Sequence, residues 1–190
     1  ACEYGGDKGI FMGGFDGTGY TAKTNLVSDA GVVATDQAAV TGMARGTLGG
    51  CSYGGDKGIF GFGAGNSGYT GVTNLVSNAG VVASDVSAVG TARNAVGACE
   101  FGTDEAIFGF GYYPSSYTAV SNKVSNAGVV ASNVTGVGTA RSYVAACSYG
   151  EDKGIFGYGW TGSNQSITNL VSNAGVVASD VTGVGTARNN

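Results

Sequence analysis

Histidine is absent from this 190-residue sequence. Because histidine is the commonest general base and the commonest metal ligand, its absence excludes Ser-His-Asp and Cys-His arrangements and removes the usual metal sites. No glycine-rich loop is followed by a predicted helix, so the many GxG strings are interpreted as strand glycines rather than as phosphate-binding loops. We therefore expect a protein that is not an enzyme, with no catalytic residues, no bound metal and no cofactor.

Charge and long apolar runs are also scarce. Charged residues make up 12% of the chain, with nine basic and 13 acidic side chains and a net charge of −4. A nucleic-acid binder neutralises phosphates with clustered lysines and arginines, so nucleic acid is not an expected partner. No segment approaches the ~20 consecutive apolar residues of a membrane helix, and no membrane insertion is expected.

Proline occurs once, whereas glycine occupies 37 positions. A disordered linker would be rich in charge and proline, and this chain has neither signature. The glycines lie among Val, Ile, Phe and Tyr, a composition that favours tightly turned, closely packed strands. The length suits one well-buried domain or a small repeat array, and we expect a single domain over residues 1–190.

The chain does contain a unit of about 48 residues repeated four times. The segment VSNAGVVAS occurs at residues 76–84, 124–132 and 171–179, and in altered form at residues 27–35. One phenylalanine also recurs in every copy, as Phe11, Phe60, Phe108 and Phe156. The repeats span about residues 1–47, 48–95, 96–143 and 144–190, and are called units 1 to 4 below.

Each unit contains four short strand candidates. In unit 3 they cover residues 94–101, 106–111, 117–124 and 128–134. The connections GTDE and SNAG place Gly, Asn or Asp where a hairpin needs positive φ, so both pairs should be antiparallel. Four short antiparallel strands in a unit of ~40–50 residues are typical of a propeller blade. The sequence therefore predicts an all-β fold, a β-propeller of four four-stranded antiparallel blades.

The ends of the chain are in register for ring closure, since the sequence is two residues short of four complete units. Two closures remain open. A single chain would form a four-bladed ring, the favoured alternative, or it would form half of an eight-bladed ring in a homodimer.

The second strand predicts how the units pack. In the run Ile107 to Gly111 (IFGFG), alternation places both phenylalanines on one face and both glycines on the other. Stacked units would then seat the aromatic rings of one unit against the glycine face of the next.

The run from Gly90 to Gly111 resembles a kelch-type blade, in which an arginine precedes the first strand and a hydrophobic-aromatic second strand ends in paired glycines. The residues FMGG at 11–14 come nearest to that glycine pair. The units are also similar to the short glycine-rich FGYG repeats of phage and marine viral proteins. This resemblance implies a structural or adhesive virion role.

Two sets of residues recur at equivalent positions in the units. The arginines precede the first strand of the next unit, and in a propeller they would form a ring near the channel mouth: Arg45, Arg93, Arg141 and Arg188. They would bind an anion or, as the exact repetition favours, carbonyls of the adjacent blade. The cysteines are Cys2, Cys51, Cys99 and Cys147. A small buried residue between blades is favoured over a disulfide or a zinc site.

The copies differ most in the loop between the second and third strands. Aromatic and amide side chains in these loops are the candidate ligand-binding residues: Phe15, Asn66, Tyr112, Tyr113, Trp160 and Asn164. Aromatic platforms beside polar groups suit carbohydrate or protein recognition, although free drift of an exposed loop is the alternative. We expect a structural or adhesive repeat protein of a virion or extracellular microbial surface, with a protein or glycan surface as its partner. The alternative is a lectin-like, glycan-binding propeller.

Overall fold

A computed structural model describes residues 1–39, 42 and 44–189. Every regular element in this part of the chain is a β-strand, and all strand pairs are antiparallel, so the all-β, antiparallel prediction is confirmed. Nowhere in these residues does a helix reach the length and apolarity needed to cross a membrane. The strands are β1 (Cys2–Tyr4), β2 (Lys8–Met12), β3 (Thr24–Val27), β4 (Arg45–Gly46), β5 (Gly49–Tyr53), β6 (Lys57–Gly61), β7 (Ala64–Gly65), β8 (Gly68–Tyr69), β9 (Thr73–Val76), β10 (Gly97–Phe101), β11 (Glu105–Gly109), β12 (Tyr112–Tyr113), β13 (Ser116–Tyr117), β14 (Ser121–Val124), β15 (Ala145–Tyr149), β16 (Lys153–Gly157) and β17 (Thr168–Val171).

Each unit is built on a three-stranded sheet with the second strand in the middle. The sheets have the orders β1-β2-β3, β5-β6-β9, β10-β11-β14 and β15-β16-β17. In unit 3, Phe101 pairs with Glu105 across a tight turn. The turn begins at Gly102, whose φ of 66° is accessible to glycine without strain. The first predicted hairpin is therefore present.

The fourth strand of each predicted blade is not a continuous strand. In unit 3 the segment 128–134 contacts β14 only through isolated bridges, at Val130 and Val134. The side chain of Asn122 donates a hydrogen bond of 3.0 Å to the Ala131 carbonyl between these bridges. A side-chain hydrogen bond therefore replaces a backbone hydrogen bond that a continuous fourth strand would make. The sheets are three-stranded.

The units stack in chain order, with the first strands in contact with one another. β5 packs against β1 and β10, and β10 packs against β15. The hydrophobic core is accordingly divided into clusters at the contacts between consecutive units, which are called joints below. The cluster at the joint of units 1 and 2 contains Tyr4, Ile10, Met12, Phe60 and Val76.

The predicted seating of aromatic rings on glycines is confirmed at two joints. A Cβ atom at Gly61 would lie 2.9 Å from Cζ of Phe108, and one at Gly109 would lie 2.7 Å from Cζ of Phe156. No side chain fits between the strand and the ring at that separation. Glycine at these positions is therefore required by packing, not by conformation.

The prediction that both phenylalanines of the second strand share a face is wrong. Strand β6 ends at Gly61, and Phe62 has a φ of 61° that interrupts the pleat. Phe60 therefore faces unit 1, whereas the Phe62 ring packs edge to face on Phe108 of unit 3 at 5.1 Å.

The outer faces of the first and last units are open. Phe11 is 50% exposed, whereas its equivalents Phe60, Phe108 and Phe156 are fully buried. At the opposite end Cys147 is exposed, whereas Cys51 and Cys99 are buried. The sheets found in the described residues are separate and small, and none closes on itself. Ring closure stays a prediction.

Candidate functional site

The variable loop between the second and third strands folds as a small hairpin in units 2 and 3. In unit 3, Tyr112 pairs with Tyr117 and Tyr113 pairs with Ser116. Ser115 has a φ of 69°, which forms the tight reversal between these pairs. In units 1 and 4 the same loop is held by isolated bridges, from Phe15 to Tyr20 and from Trp160 to Asn164.

Tyr112 and Trp160 line one groove of about 250 Å³, which we call the aromatic groove. Two of the predicted ligand-binding residues are therefore brought together, although they belong to different units. The other residues that line this groove are Tyr69, Asn94, Tyr117, Ser142 and Tyr143.

Backbone hydrogen bonds between units fix the positions of both aromatic residues. Tyr112 and Asn94 exchange two N–H···O bonds of 2.9 Å. Trp160 and Ser142 exchange an equivalent pair of 2.8 and 3.0 Å. The variable loops of units 3 and 4 are thus anchored to the segments that leave units 2 and 3, and the spacing of the two rings is set by the stacking of the units.

The rings of the groove pack on one another edge to face. The centroid of Tyr112 lies 5.3 Å from that of Tyr117 and 6.2 Å from that of Tyr69. Such contacts add about 0.5–1.5 kcal/mol each beyond burial, so they stabilise this arrangement of the rings.

Polar groups stand beside these rings. Asn94 donates from Nδ2 to Oγ1 of Thr47 at 3.2 Å, while its buried Oδ1 has no hydrogen-bond partner among the described residues. The Ser142 side chain lies in the same wall and is almost completely buried. Aromatic faces next to amide and hydroxyl groups fit the alternating apolar and polar faces of a sugar ring.

The remaining predicted ligand-binding residues lie outside the aromatic groove. Phe15 is 65% exposed and packs edge to face on Tyr20 in unit 1, at 5.7 Å. Asn66 is exposed, and Oδ1 of Asn164 accepts a hydrogen bond of 2.8 Å from Asn189. Tyr113 is half-buried on the unit 3 hairpin. The structure therefore does not gather the six candidates into one site.

Three tyrosines of the groove were not singled out from the sequence. Tyr69 and Tyr117 stand at equivalent positions of their units, and Tyr20 is the counterpart in unit 1. This recurrence of tyrosine was the one feature of the sequence that pointed to them. Tyr143 had no such signal, because its equivalents are Thr47 and Ala95. Thr47, Ala95 and Tyr143 have φ between 51° and 52°, so the backbone conformation is repeated in these units while the side chain changes.

Three of the four predicted arginines lie inside the joints, with no exposed surface. The Cζ atom of Arg141 lies 4.1 Å above the centroid of the Phe110 ring in unit 3. Its Nε and Nη2 atoms donate to the Tyr158 carbonyl and to Oδ1 of Asn169 in unit 4, both at 2.7 Å. We call this arrangement the arginine clamp, because one guanidinium binds both neighbouring units.

The same arrangement recurs with small changes. Nε of Arg93 donates to the Phe110 carbonyl at 2.8 Å, and Nη2 of Arg45 donates to Oδ1 of Asn74 at 2.5 Å. Burial lowers the pKa of Arg93 and of Arg141 to about 10. Arg188, at the outer face of unit 4, is exposed and stacks on Tyr158 at 3.6 Å. The three buried arginines thus hydrogen-bond to the adjacent unit, as the structural interpretation of their repetition expects. A ring of arginines that binds an anion stays a prediction.

The cysteines are free thiols at different depths. Cys51 and Cys99 are buried, Cys2 is half-buried and Cys147 is exposed. Sγ of Cys99 lies 2.6 Å from the position that a Cβ would take at Gly154 in unit 4. Burial raises the pKa of the Cys99 thiol to about 12. In the part of the chain that the structure describes, no three His, Cys, Asp or Glu residues are grouped as metal ligands would be.

Comparison with known proteins adds no assignment. No protein-family model matches the chain, and a search of the curated proteins finds no match. The resemblances to kelch-type blades and to FGYG repeats therefore stay predictions.

Proposed function

We propose that the chain is a non-catalytic repeat protein with a structural or adhesive role, at a virion or extracellular microbial surface. The observation that supports this proposal is the arginine clamp. At each internal joint a buried guanidinium of one unit donates a hydrogen bond to the next unit, as Arg45, Arg93 and Arg141 do. The surface location is the one that the FGYG resemblance implies.

The clamp favours a rigid stack. A buried, charged donor that lost its partners would incur a large desolvation cost, so sliding of one unit on the next is opposed. At two of these joints a phenylalanine ring packs on a strand glycine, as Phe108 does on Gly61, and this close fit also opposes sliding. A stiff array that repeats one surface is suited to bearing load or to displaying loops at fixed spacing.

The β-propeller is part of the same proposal. In a single chain the outer faces of units 1 and 4 are exposed at Phe11 and Cys147. A homodimer in which each chain covers the open faces of the other would bury both. Each chain of such a dimer would be half of an eight-bladed ring, whereas in a four-bladed ring units 1 and 4 of one chain would cover each other.

The second candidate function is glycan binding at the aromatic groove. Its support is the convergence of Tyr112 and Trp160 with the polar groups of Asn94 and Ser142. A broad glycan array probed with wild type, Trp160→Ala and Tyr112→Ala tests it. Phe15→Ala is the matched control, since Phe15 is an exposed loop aromatic outside the groove.

The array separates the candidate functions. Glycan binding that is lost in Trp160→Ala and Tyr112→Ala, and retained in Phe15→Ala, supports the lectin-like function. The absence of binding on a broad array supports a structural role alone. Reproducible hydrolytic turnover of array glycans by the wild type would contradict the non-catalytic proposal.

A further inference from the structure

We propose that copies of this chain associate head to tail, with unit 1 of one copy stacked on the outer face of unit 4 of another. The inference deepens the proposed structural role and does not depend on the aromatic groove. At each internal joint, the face that a unit presents to the following unit packs on the face that the following unit presents back. The outer face of unit 4 is of the first kind, and the outer face of unit 1 is of the second kind.

The outer face of unit 4 holds an empty seat for an aromatic ring. An apolar depression of about 280 Å³ is lined by residues that include Cys147, Ile155, Gly157 and Tyr158. A Cβ at Gly157 would meet only Cγ2 of Thr168, at 3.3 Å. At the equivalent positions of units 2 and 3, the ring of the following unit occupies this space.

The outer face of unit 1 presents the ring that fits this seat. Phe11 stands at the position of Phe108 and Phe156, which fill the internal seats. Those two rings are fully buried, whereas Phe11 is 50% exposed. Stacking of Phe11 from a second copy on Gly157 would reproduce the internal contact.

A second pair of open positions matches in the same way. At each internal joint a loop glycine covers an aromatic ring of the preceding unit. A Cβ added at Gly128 would lie 3.0 Å from the Tyr53 ring, and one added at Gly175 would lie 2.6 Å from the Phe101 ring. A Cβ added at the equivalent Gly31 in unit 1 would have no other atom within 4 Å. The equivalent Tyr149 in unit 4 is 40% exposed. The two positions are complementary across a head-to-tail joint.

A third pair would complete an arginine clamp. Arg141 donates to Asn169 of the next unit, and Asn169 in turn donates to Asp180 at 2.9 Å. The equivalents in unit 1 are Asn25 and Asp36, with the same bond at 3.0 Å. Asp36 is also paired with Lys23 at 2.7 Å. The exposed Arg188 of another copy would donate to Asn25.

One substitution makes the outer joint weaker than the internal joints. Gly49 and Gly97 form part of the internal seats, and a Cβ at Gly97 would lie 3.0 Å from the Phe156 ring. Unit 4 has Ala145 at this position, so the incoming Phe11 ring meets an additional methyl group. We therefore expect reversible, concentration-dependent association.

Sedimentation velocity over a concentration series measures this association in the 190-residue chain. Phe11→Ser should weaken it by about tenfold or more, because a buried phenylalanine contact is lost. Ala145→Gly should strengthen it. Phe15→Ser, an exposed aromatic of the same unit outside the joint, should leave it unchanged. Circular dichroism verifies that each variant keeps the wild-type fold.

A cross-link tests the register of the joint. Sγ of Cys2 lies 2.6 Å from the Cβ position of Gly58 in unit 2, so Cys147 of one copy should lie against Gly9 of the next. A Cβ at Gly9 would approach Val27 no closer than 3.5 Å, so a cysteine fits there. In Gly9→Cys, diamide should oxidise the two facing thiols to one disulfide, with both hydrogens transferred to the diamide.

The expected product is a covalent dimer or a ladder of multimers that Cys147→Ala abolishes in the Gly9→Cys background. A closed dimer would show that two chains form a ring, and a ladder would show an open filament; both support the joint. Monomers at every concentration for wild type and Ala145→Gly, with no Cys147-dependent product, would overturn it. That result would leave the glycan-array test of the proposed function unaffected.

Discussion

The Cζ atom of Arg93 lies 4.0 Å from the centroid of the Phe62 ring, with the guanidinium completely buried. Phe62 can offer its ring face to Arg93 because its φ of 61° turns the side chain away from the pleat of β6. The positive φ of Phe62 and the buried charge of Arg93 therefore belong to one arrangement. Arg93 joins it to unit 3 through its hydrogen bond to the Phe110 carbonyl.

Removal of a clamp arginine should destabilise the protein. Arg93→Ala loses the stacking on Phe62 and the hydrogen bond to the Phe110 carbonyl, which is left without this donor. We expect the free energy of unfolding to fall by about 2–4 kcal/mol, measured by urea denaturation. Arg188→Ala at low protein concentration is the control and should change it by less than about 0.5 kcal/mol. Equal effects of the two substitutions would contradict the clamp.

Replacement of a strand glycine by alanine should destabilise the protein only where an aromatic ring of the next unit packs on that glycine. Gly109→Ala places a Cβ 2.7 Å from the Phe156 ring, whereas Gly157→Ala meets only Thr168. Neither glycine has positive φ, so packing alone separates the two variants. We expect Gly109→Ala to lower the free energy of unfolding by about 1–3 kcal/mol and Gly157→Ala to leave it nearly unchanged. Thermal denaturation of dilute samples measures both.

Stability should fall at alkaline pH because of the buried thiols. Burial raises the pKa of the Cys99 thiol to about 12, above its ordinary value of 9.0. The folded-state pKa is raised, so this stability is fully present below pH 9 and is lost as the pH rises towards 12. Each thiol contributes a slope of up to about 1.4 kcal/mol per pH unit.

Urea denaturation of wild type and Cys99→Ala between pH 8 and pH 11 measures this slope. The variant should show a shallower loss of stability, and Cys147→Ala controls for the removal of an exposed thiol. Identical slopes in wild type and Cys99→Ala would show that the thiol is not buried as described.

Glycan binding should be visible through the single tryptophan. Trp160 is the only tryptophan of the chain and lines the aromatic groove. If a sugar ring stacks in this groove, titration of the protein with that glycan should change the fluorescence of Trp160, and the change should reach a plateau when the groove is saturated. Tyr112→Ala should abolish the change, while Phe15→Ala should retain it. A fluorescence change that persists in Tyr112→Ala would place the ligand elsewhere.

Much of the candidate site was within reach of sequence reasoning, and some of it was not. Tyr112 and Trp160 stood out because the loops that carry them differ between copies. Their meeting in one groove depended on the hydrogen bonds of Tyr112 to Asn94 and of Trp160 to Ser142, which connect successive units. Phe15 carries the same type of side chain but lies in unit 1, away from that groove. Residue type was predictable, whereas convergence was not.

The sequence by itself determined the repeat, the antiparallel hairpins and the seating of phenylalanine on glycine. These features follow from local chemistry: glycine permits positive φ in a turn, and a bare strand face admits a ring. The tertiary structure alone decided that Phe60 and Phe62 face opposite neighbours, and that three of the four repeated arginines are buried while Arg188 is exposed. It also decided which surfaces stay open. Phe11 and Phe60 both follow the residues GGDKGI, yet Phe11 is half-exposed and Phe60 is fully buried. The difference is that a preceding unit covers Phe60, whereas none covers Phe11.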